Sequence, residues 1–245
     1  QKKDENYKKI KGKTITRNEA IQIAKRYMKF DGNANVKVTD NGKGSDYGFY
    51  SVSIKNKTAG QEASMDITKK AGKPIWFINN RDIKKQSLSL NDANNKAAAF
   101  LKETGFKNLE TFESTQYDNV GVFDFVTNIN GVRIYPESVK VKVALDNGDI
   151  VGISAEEYLK SFQTRTIEKP TLTLAQARTK VNPKLKVMEQ RQAMIVNDLN
   201  EDVLCYEFLG TLGDDTYRIF INAKTGLEED VEKLKNAEAT YEDVL

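Results

Sequence analysis

Ile15-Thr16-Arg17-Asn18-Glu19-Ala20 is the first of three similar stretches that decide the fold of this 245-residue chain. Leu88-Ser89-Leu90-Asn91-Asp92-Ala93 and Leu172-Thr173-Leu174-Ala175-Gln176-Ala177 repeat it. In each, a hydroxyl residue stands three positions before an acid or amide, which is the arrangement of a helix capping box. The apolar residue before the cap can also meet the alanine four positions after the cap as a hydrophobic staple. Three helices with one kind of N-terminus are therefore predicted.

Apolar residues continue from each start at the spacing of a buried helical stripe. Asp31-Gly32-Asn33 is expected to end the first helix, and Gly105 the second. Asn182-Pro183 should limit the third to about two or three turns, because proline cannot continue a helix. The two clear stripes consist of Ala20, Ile23, Ala24, Tyr27 and Met28, and of Ala93, Ala97, Phe100 and Leu101.

About four strand-like segments follow each predicted helix, and the last two of each set are joined by a turn with a glycine. These glycines are Gly72, Gly148 and Gly226, which lie 56, 59 and 53 residues after their caps. A tight hairpin needs the positive φ that glycine adopts easily. The predicted strands are 36–39, 49–55, 64–68, 74–78, 109–114, 122–129, 139–145, 150–153, 187–196, 203–209, 217–221 and a weak one at 227–231.

The sequence thus predicts an α+β fold of three tandem units, each a helix packed on an antiparallel sheet of about four strands. A lead-in of residues 1–13 precedes units at 14–86, 87–168 and 169–245. The second unit is longer, partly through Asn130-Gly131, which suggests an extended hairpin ending near Pro136.

The composition excludes several kinds of enzyme. There is no histidine, so a histidine-based triad, a zinc protease motif and a Cys/His pair are all ruled out. The single thiol, Cys205, can form neither a structural zinc site nor an intrachain disulfide, and we expect it to be a small core side chain. No catalytic, metal-binding or cofactor-binding residue is predicted, and no cofactor.

The chain has no apolar run long enough for a transmembrane helix or a signal peptide, and it begins with Gln1. We therefore expect a piece of a longer protein, with any export or anchoring segment upstream.

Charge is distributed unevenly along the chain. Residues 1–86 carry a net charge of +11, whereas residues 87–168 and 169–245 carry −4 each. The basic third could face an anionic membrane surface, a cell-wall polymer or an acidic partner, or could simply keep the protein soluble. Nucleic acid is not expected, because the chain has no arginine-rich arm and no RNP1-like stretch.

Three polar clusters favour ordinary structural explanations. The glycine-rich loop Gly42–Gly48 is followed by a strand, whereas a phosphate-binding loop precedes a helix, so we expect a plain loop. Glu156-Glu157 and Glu228-Glu229-Asp230 contain neighbouring carboxylates that cannot face one bond, which favours solvated ends of elements over a glycosidase pair.

Trp76, Tyr135 and Pro136 are the candidate partner-binding residues. In Pro74-Ile75-Trp76-Phe77, strand alternation places Trp76 on the face opposite to Ile75 and Phe77. Trp76 could therefore anchor a partner, with cross-strand packing or contact with the next unit as the alternatives. Tyr135-Pro136 is equally consistent with a rigid loop and with an interface.

The repeated hydroxyl-x-x-acid-Ala openings and glycine turns resemble the PepSY family over residues 14–235, in three copies. Gly72–Phe77, Tyr135–Val143 and Gly148–Gly152 further resemble the C-terminal region of spore germination proteins built from this module. The resemblance implies a non-catalytic extracytoplasmic protein, anchored at the spore inner membrane near the cortex by a segment absent here. It also implies a cortex-lytic enzyme, SleB, as the partner that the protein binds and stabilises, localises or inhibits.

Three functions follow as hypotheses. The preferred one is a regulatory binding protein for the lytic enzyme, with a homo-oligomer as a further possibility. The alternatives are a sensor of wall polymer or anionic surfaces, and a catalyst such as a cortex hydrolase or a Ser/Lys peptidase.

Overall fold

The computed structural model describes residues 7–29, 34–42, 45–56 and 61–234, and this part of the chain contains four α-helices and twelve β-strands. The helices are α1 (Arg17–Met28), α2 (Leu90–Glu103), α3 (Glu156–Ser161) and α4 (Leu174–Arg178). The strands are β1 (Ala34–Asn41), β2 (Phe49–Asn56), β3 (Glu62–Thr68), β4 (Pro74–Asn80), β5 (Leu109–Tyr117), β6 (Val120–Ile129), β7 (Val132–Ala144), β8 (Ile150–Ser154), β9 (Lys186–Val196), β10 (Asp202–Leu212), β11 (Asp215–Asn222) and β12 (Glu228–Leu234).

All twelve strands belong to one hydrogen-bonded sheet. The first four, the middle four and the last four strands each form an antiparallel meander. An antiparallel pairing of β4 with β8 and a short parallel pairing of β7 with β9 join the meanders. The predicted α+β class is confirmed, and the continuity of the sheet was not predicted. The division into three tandem units with the stated boundaries stays a prediction.

Strand β7 is the junction of the sheet. Its residues 132–134 pair with β9, and residues 140–143 pair with β8. On its other edge, Ile134 lies opposite Thr127 and Ser138 lies opposite Val126, so residues 135–137 form a bulge. Proline is tolerated at such a bulge because no ladder hydrogen bond is required from it. The hairpin at Asn130-Gly131 is confirmed, but it does not end near Pro136, since β7 continues to Ala144.

The predicted helix starts are confirmed. Thr16 and Thr173 form complete capping boxes, and the Ser89 side chain accepts a hydrogen bond from the Asp92 amide. Helix α4 has only five residues, fewer than the two or three turns predicted, because the chain turns before Pro183. Helix α3 was not predicted, and Glu156-Glu157 form its first turn. The expected end of α1 at 31–33 lies outside the described residues.

The helical stripes are buried as predicted. Ala20, Ala24 and Met28 of α1 are fully buried, while Ile23 and Tyr27 pack at the edge of the same core. Helices α2 and α3 pack in this core as well. A second core contains Ala177 of α4 with residues of β7, β10 and β11. The turn glycines Gly72, Gly148 and Gly226 all have positive φ, as their positions require.

Candidate functional site

The face of the sheet opposite α1, α2 and α3 is polar around a single tryptophan, and we call it the open face. It is formed by outward side chains of β1, β2, β3, β4, β8 and β7. Trp76 is half-buried on this face, whereas its neighbours Ile75 and Phe77 are 2% exposed in the core. The predicted alternation along this strand is therefore confirmed.

Cross-strand register arranges the open face in two rows of aligned side chains. The first row has a lysine at each end, and the second row contains Trp76. The first row is Lys37, Ser53, Ser64, Ile78, Gly152 and Lys142. The second row is Thr39, Ser51, Asp66, Trp76, Ser154 and Lys140.

The indole of Trp76 is held in place by its cross-strand neighbour. Its Nε1 donates a hydrogen bond of 2.9 Å to Oδ2 of Asp66. The ring borders a groove of about 680 Å³ over β1, β2 and β3, and a smaller one of about 220 Å³ over β4, β8 and β7. Short serine side chains form much of the floor of the larger groove. Trp76 therefore lies, with a fixed orientation, between a larger groove lined largely by polar side chains and a smaller groove lined mainly by apolar ones.

Four lysines give the open face its charge. Lys55 lies 3.9 Å from Glu62 on the neighbouring strand, and Lys140 lies 3.7 Å from Asp124. Burial raises the pKa of Asp124 above its ordinary value, against the lowering effect of Lys140. Lys37 and Lys142 make no hydrogen bond or ion pair with any described residue. These two cations are thus available to an external carboxylate.

Tyr135 and Pro136 lie in the bulge of β7 and not in a loop. The Tyr135 ring packs edge-on against Phe112 and Phe220, at centroid distances of 5.2 and 5.6 Å. Its hydroxyl donates a hydrogen bond to Glu207 on β10. Burial, followed by the charge of Glu207, raises the pKa of Tyr135. In this structure Tyr135 joins two parts of one chain, and its assignment to an external partner stays a prediction.

A buried ionic cluster surrounds this tyrosine. Glu207 has no exposed surface, and it contacts Arg191 directly and lies 3.6 Å from Arg218 and 3.8 Å from Arg133. Arg133 also donates a 2.8 Å hydrogen bond to Glu110 on β5. Nothing in the sequence indicated this cluster, because its members come from five strands of the middle and last meanders.

A second buried pair lies beside the bulge. Nε of Arg165 donates a 2.7 Å hydrogen bond to Glu137, which is 1% exposed, and Nη1 donates one of 2.5 Å to Asp202. Burial raises the pKa of Glu137, and Arg165 partly offsets that effect. Two residues of the bulge therefore bind different parts of the chain, Tyr135 the Glu207 carboxylate on β10 and Glu137 the Arg165 side chain between α3 and α4.

The remaining candidates have structural surroundings. Cys205 is buried, and burial raises its pKa to about 12, so the thiol stays protonated at neutral pH, as expected of a core side chain. Residues 43 and 44 of the glycine-rich loop lie outside the described residues. Within the described ranges no three acidic or thiol side chains gather as metal ligands. In the same part of the chain, no helix is both long and apolar enough to cross a membrane.

A large sheet with few helices and an open polar face defines a mixed α+β protein. The family described as YpeB sporulation, PepSY1 and PepSY2 domains matches residues 1–181, and the family described as peptidase propeptide and YPEB domain matches residues 171–232. The chain belongs to the YpeB family, which confirms the resemblance.

Relatives of known sequence and structure agree with this assignment. The chain is 49% identical over 245 residues to sporulation protein YpeB of Bacillus subtilis, and 46% identical over 235 residues to that of Halalkalibacterium halodurans. These alignments cover 99% and 96% of this chain but about half of each relative, 54% and 52%. The structure is similar to the Bacillus megaterium YpeB C-terminal domain, with a TM-score of 0.82, 52% identity and coverage of 92% of this chain and 100% of that one.

Proposed function

We propose that this chain is a non-catalytic binding module of a sporulation protein, made of three PepSY-like units. Its relatives are named sporulation proteins, and one matching family is described as a peptidase propeptide domain. A propeptide acts by binding an enzyme, so the description supports a binding role. The three meanders, each preceded by a capped helix, support a threefold repeat of this module.

The partner in this proposal is a cortex-lytic enzyme of the SleB type, which the module stabilises, localises or inhibits. The protein acts outside the cytoplasm at the spore inner membrane. Because the chain spans about half the length of its relatives, the remainder of such a protein has room for an anchor. The observation that carries the binding role is Trp76, a half-buried aromatic ring oriented by Asp66 on the face opposite α1, α2 and α3. Aromatic side chains of this kind often supply much of the binding energy at an interface.

Binding of the purified chain to the lytic enzyme tests the proposal. We expect a complex by calorimetry, and an affinity at least tenfold weaker for Trp76→Ala. Tyr117→Ala is the matched control, because Tyr117 is 67% exposed at the end of β5, a strand that is not part of the open face. Parallel measurement of lytic activity and of protease resistance distinguishes inhibition from stabilisation. Absence of any complex with folded protein would contradict the proposal, as would hydrolysis of cortex fragments by the chain alone.

A further inference from the structure

The first row of the open face has two unpaired cations at its ends and an exposed apolar side chain between them. Lys37 on β1 and Lys142 on β7 are both exposed, and neither has a partner among the described residues. Ile78 on β4 lies between them in the row and is 38% exposed. The row therefore has a defined sequence of chemical groups, namely cation, hydroxyls, apolar group and cation.

Gly152 shapes the Lys142 end of this row. A Cβ at this position would lie 3.2 Å from Cδ and 3.3 Å from Cβ of Lys142. The aliphatic part of Lys142 consequently lies over β8, and its length extends the apolar surface beside Ile78 and Trp76. At the other end, the short side chains of Ser53 and Ser64 leave a groove between Lys37 and Ile78.

We propose that the open face binds an extended acidic segment of a protein partner, in which an apolar side chain is flanked on both sides by carboxylates. This inference rests on the proposed function, and it specifies the chemistry of the contact. The apolar side chain occupies the surface formed by Ile78 and Trp76, and the carboxylates pair with Lys37 and Lys142.

The spacing of the row sets the spacing of the partner's residues. Neighbouring strands lie about 4.8 Å apart, so Lys37 is about 14 Å and Lys142 about 10 Å from Ile78 along the row. An extended peptide advances about 3.3 Å per residue, and only side chains at even separations point to the same side. Carboxylates about four residues to either side of the apolar residue would therefore face the row within reach of the two lysine side chains, and a segment of about nine residues would span it.

Apolar and charged groups at these fixed positions favour a polypeptide over the other anionic ligands. An anionic glycan offers carboxylates but no aliphatic side chain for Ile78. A lipid surface is flat, and it would not select the groove between Lys37 and Ile78.

The chain contains one tryptophan, so its fluorescence reports directly on this face. The probe is a synthetic peptide of nine residues with glutamate at positions one and nine and leucine at position five. We expect it to shift the emission of Trp76, and we expect a matched peptide with glutamines to bind at least tenfold more weakly. Binding should also weaken as salt rises, because added ions shorten the screening length, which is about 8 Å at physiological ionic strength, and so weaken the attraction between exposed charges.

Lysine variants test the assignment of the two cations. The double variant Lys37→Gln and Lys142→Gln should lose at least tenfold in affinity for the acidic peptide. The double variant Lys102→Gln and Lys107→Gln is the control, since it removes the same charge from exposed positions in and after α2. Equal affinities of the two double variants, with both folded by circular dichroism, would overturn the proposal.

Two further measurements test other anionic ligands and separate this inference from the proposed function. A stronger emission shift with polygalacturonate or with phosphatidylglycerol vesicles than with the peptide would overturn the acidic-segment assignment. Binding of the lytic enzyme without binding of the peptide would overturn this inference and leave the proposed function standing. Binding of the peptide without the enzyme would support this inference and contradict the enzyme as partner.

Discussion

The hydroxyl of Tyr135 on β7 donates a hydrogen bond to the carboxylate of Glu207 on β10, 72 residues further along the chain. This contact links the middle and last meanders at the point where β7 changes its partner strand. Arg133, Arg191 and Arg218 surround the same carboxylate. The junction is thus held by a buried charge that has several partners.

Removal of this charge should destabilise the chain strongly. Glu207→Ala leaves three arginines without their shared carboxylate, and breaking a buried ion pair typically costs about 3 to 5 kcal/mol. Tyr135→Phe removes the hydrogen bond to Glu207 and the longer one, of 3.4 Å, that the hydroxyl accepts from Arg133, but it leaves the ion pairs in place, so we expect about 1 to 3 kcal/mol. Urea unfolding measures both losses. Glu103→Ala, at an exposed position of α2, is the control, and a Glu207→Ala loss no larger than this control would contradict the role of the cluster.

The Glu137–Arg165 pair predicts a pH-dependent variant. Burial raises the pKa of Glu137, so its contribution to stability is complete below the unfolded value of about 4.3 and is lost as the pH rises through the folded pKa. Arg165→Leu removes a group that lowers this pKa and should raise it further. We therefore expect Arg165→Leu to lose more stability at pH 8 than at pH 5 by urea unfolding.

A double variant isolates the carboxyl in that experiment. Glu137→Gln combined with Arg165→Leu has no titrating group at position 137, so the difference between pH 8 and pH 5 should largely disappear. If the single variant lost the same stability at both pH values, the buried carboxylate would not be the cause.

The N-terminus of α1 offers a test of local stability. Thr16 accepts a 3.2 Å hydrogen bond from the Glu19 amide, and the Glu19 side chain accepts one from the Thr16 amide. Thr16→Ala removes the first of these and should cost about 1 kcal/mol, measured by the midpoint of urea unfolding. Thr16→Ser keeps the hydroxyl and should stay close to the parent protein. Equal midpoints for alanine and the parent would show that the cap adds little.

Alanine substitutions at Gly72 and Gly213 distinguish the cost of backbone strain from the cost of a steric clash. Both have positive φ, +57° and +64°, and alanine in this region costs about 1 to 2 kcal/mol. A Cβ at Gly72 would lie 2.8 Å from Cδ1 of Ile23, whereas at Gly213 it would meet nothing within 4 Å. Gly72→Ala should therefore destabilise more than Gly213→Ala in thermal unfolding. Similar losses would mean that Ile23 moves aside without cost.

Much of the local structure could be predicted because its causes are close together in sequence. The capping boxes at Thr16 and Thr173, the buried stripe of α1 and the turn at Gly148 each depend on residues within a few positions of one another. The outward direction of Trp76 could be predicted for the same reason, since successive residues of a strand face opposite sides of the sheet.

Other features depend on strands that are distant in sequence. Pro136 indicated a rigid position but not the bulge, which is defined only by the partners of β7 on both edges. The alignment of Lys37, Ile78 and Lys142 likewise requires the pairing of β4 with β8. No spacing in the sequence gives that register.

By itself, the sequence determined the class of fold, the family, the starts of the helices and the side of β4 on which Trp76 stands, because these depend on local periodicity, capping chemistry and family motifs. Only the tertiary structure decided that the strands join in one sheet, that Glu207 is buried among three arginines and that two unpaired lysines flank Ile78. Strand pairing and burial produce these arrangements, and both depend on contacts between residues that are far apart in sequence.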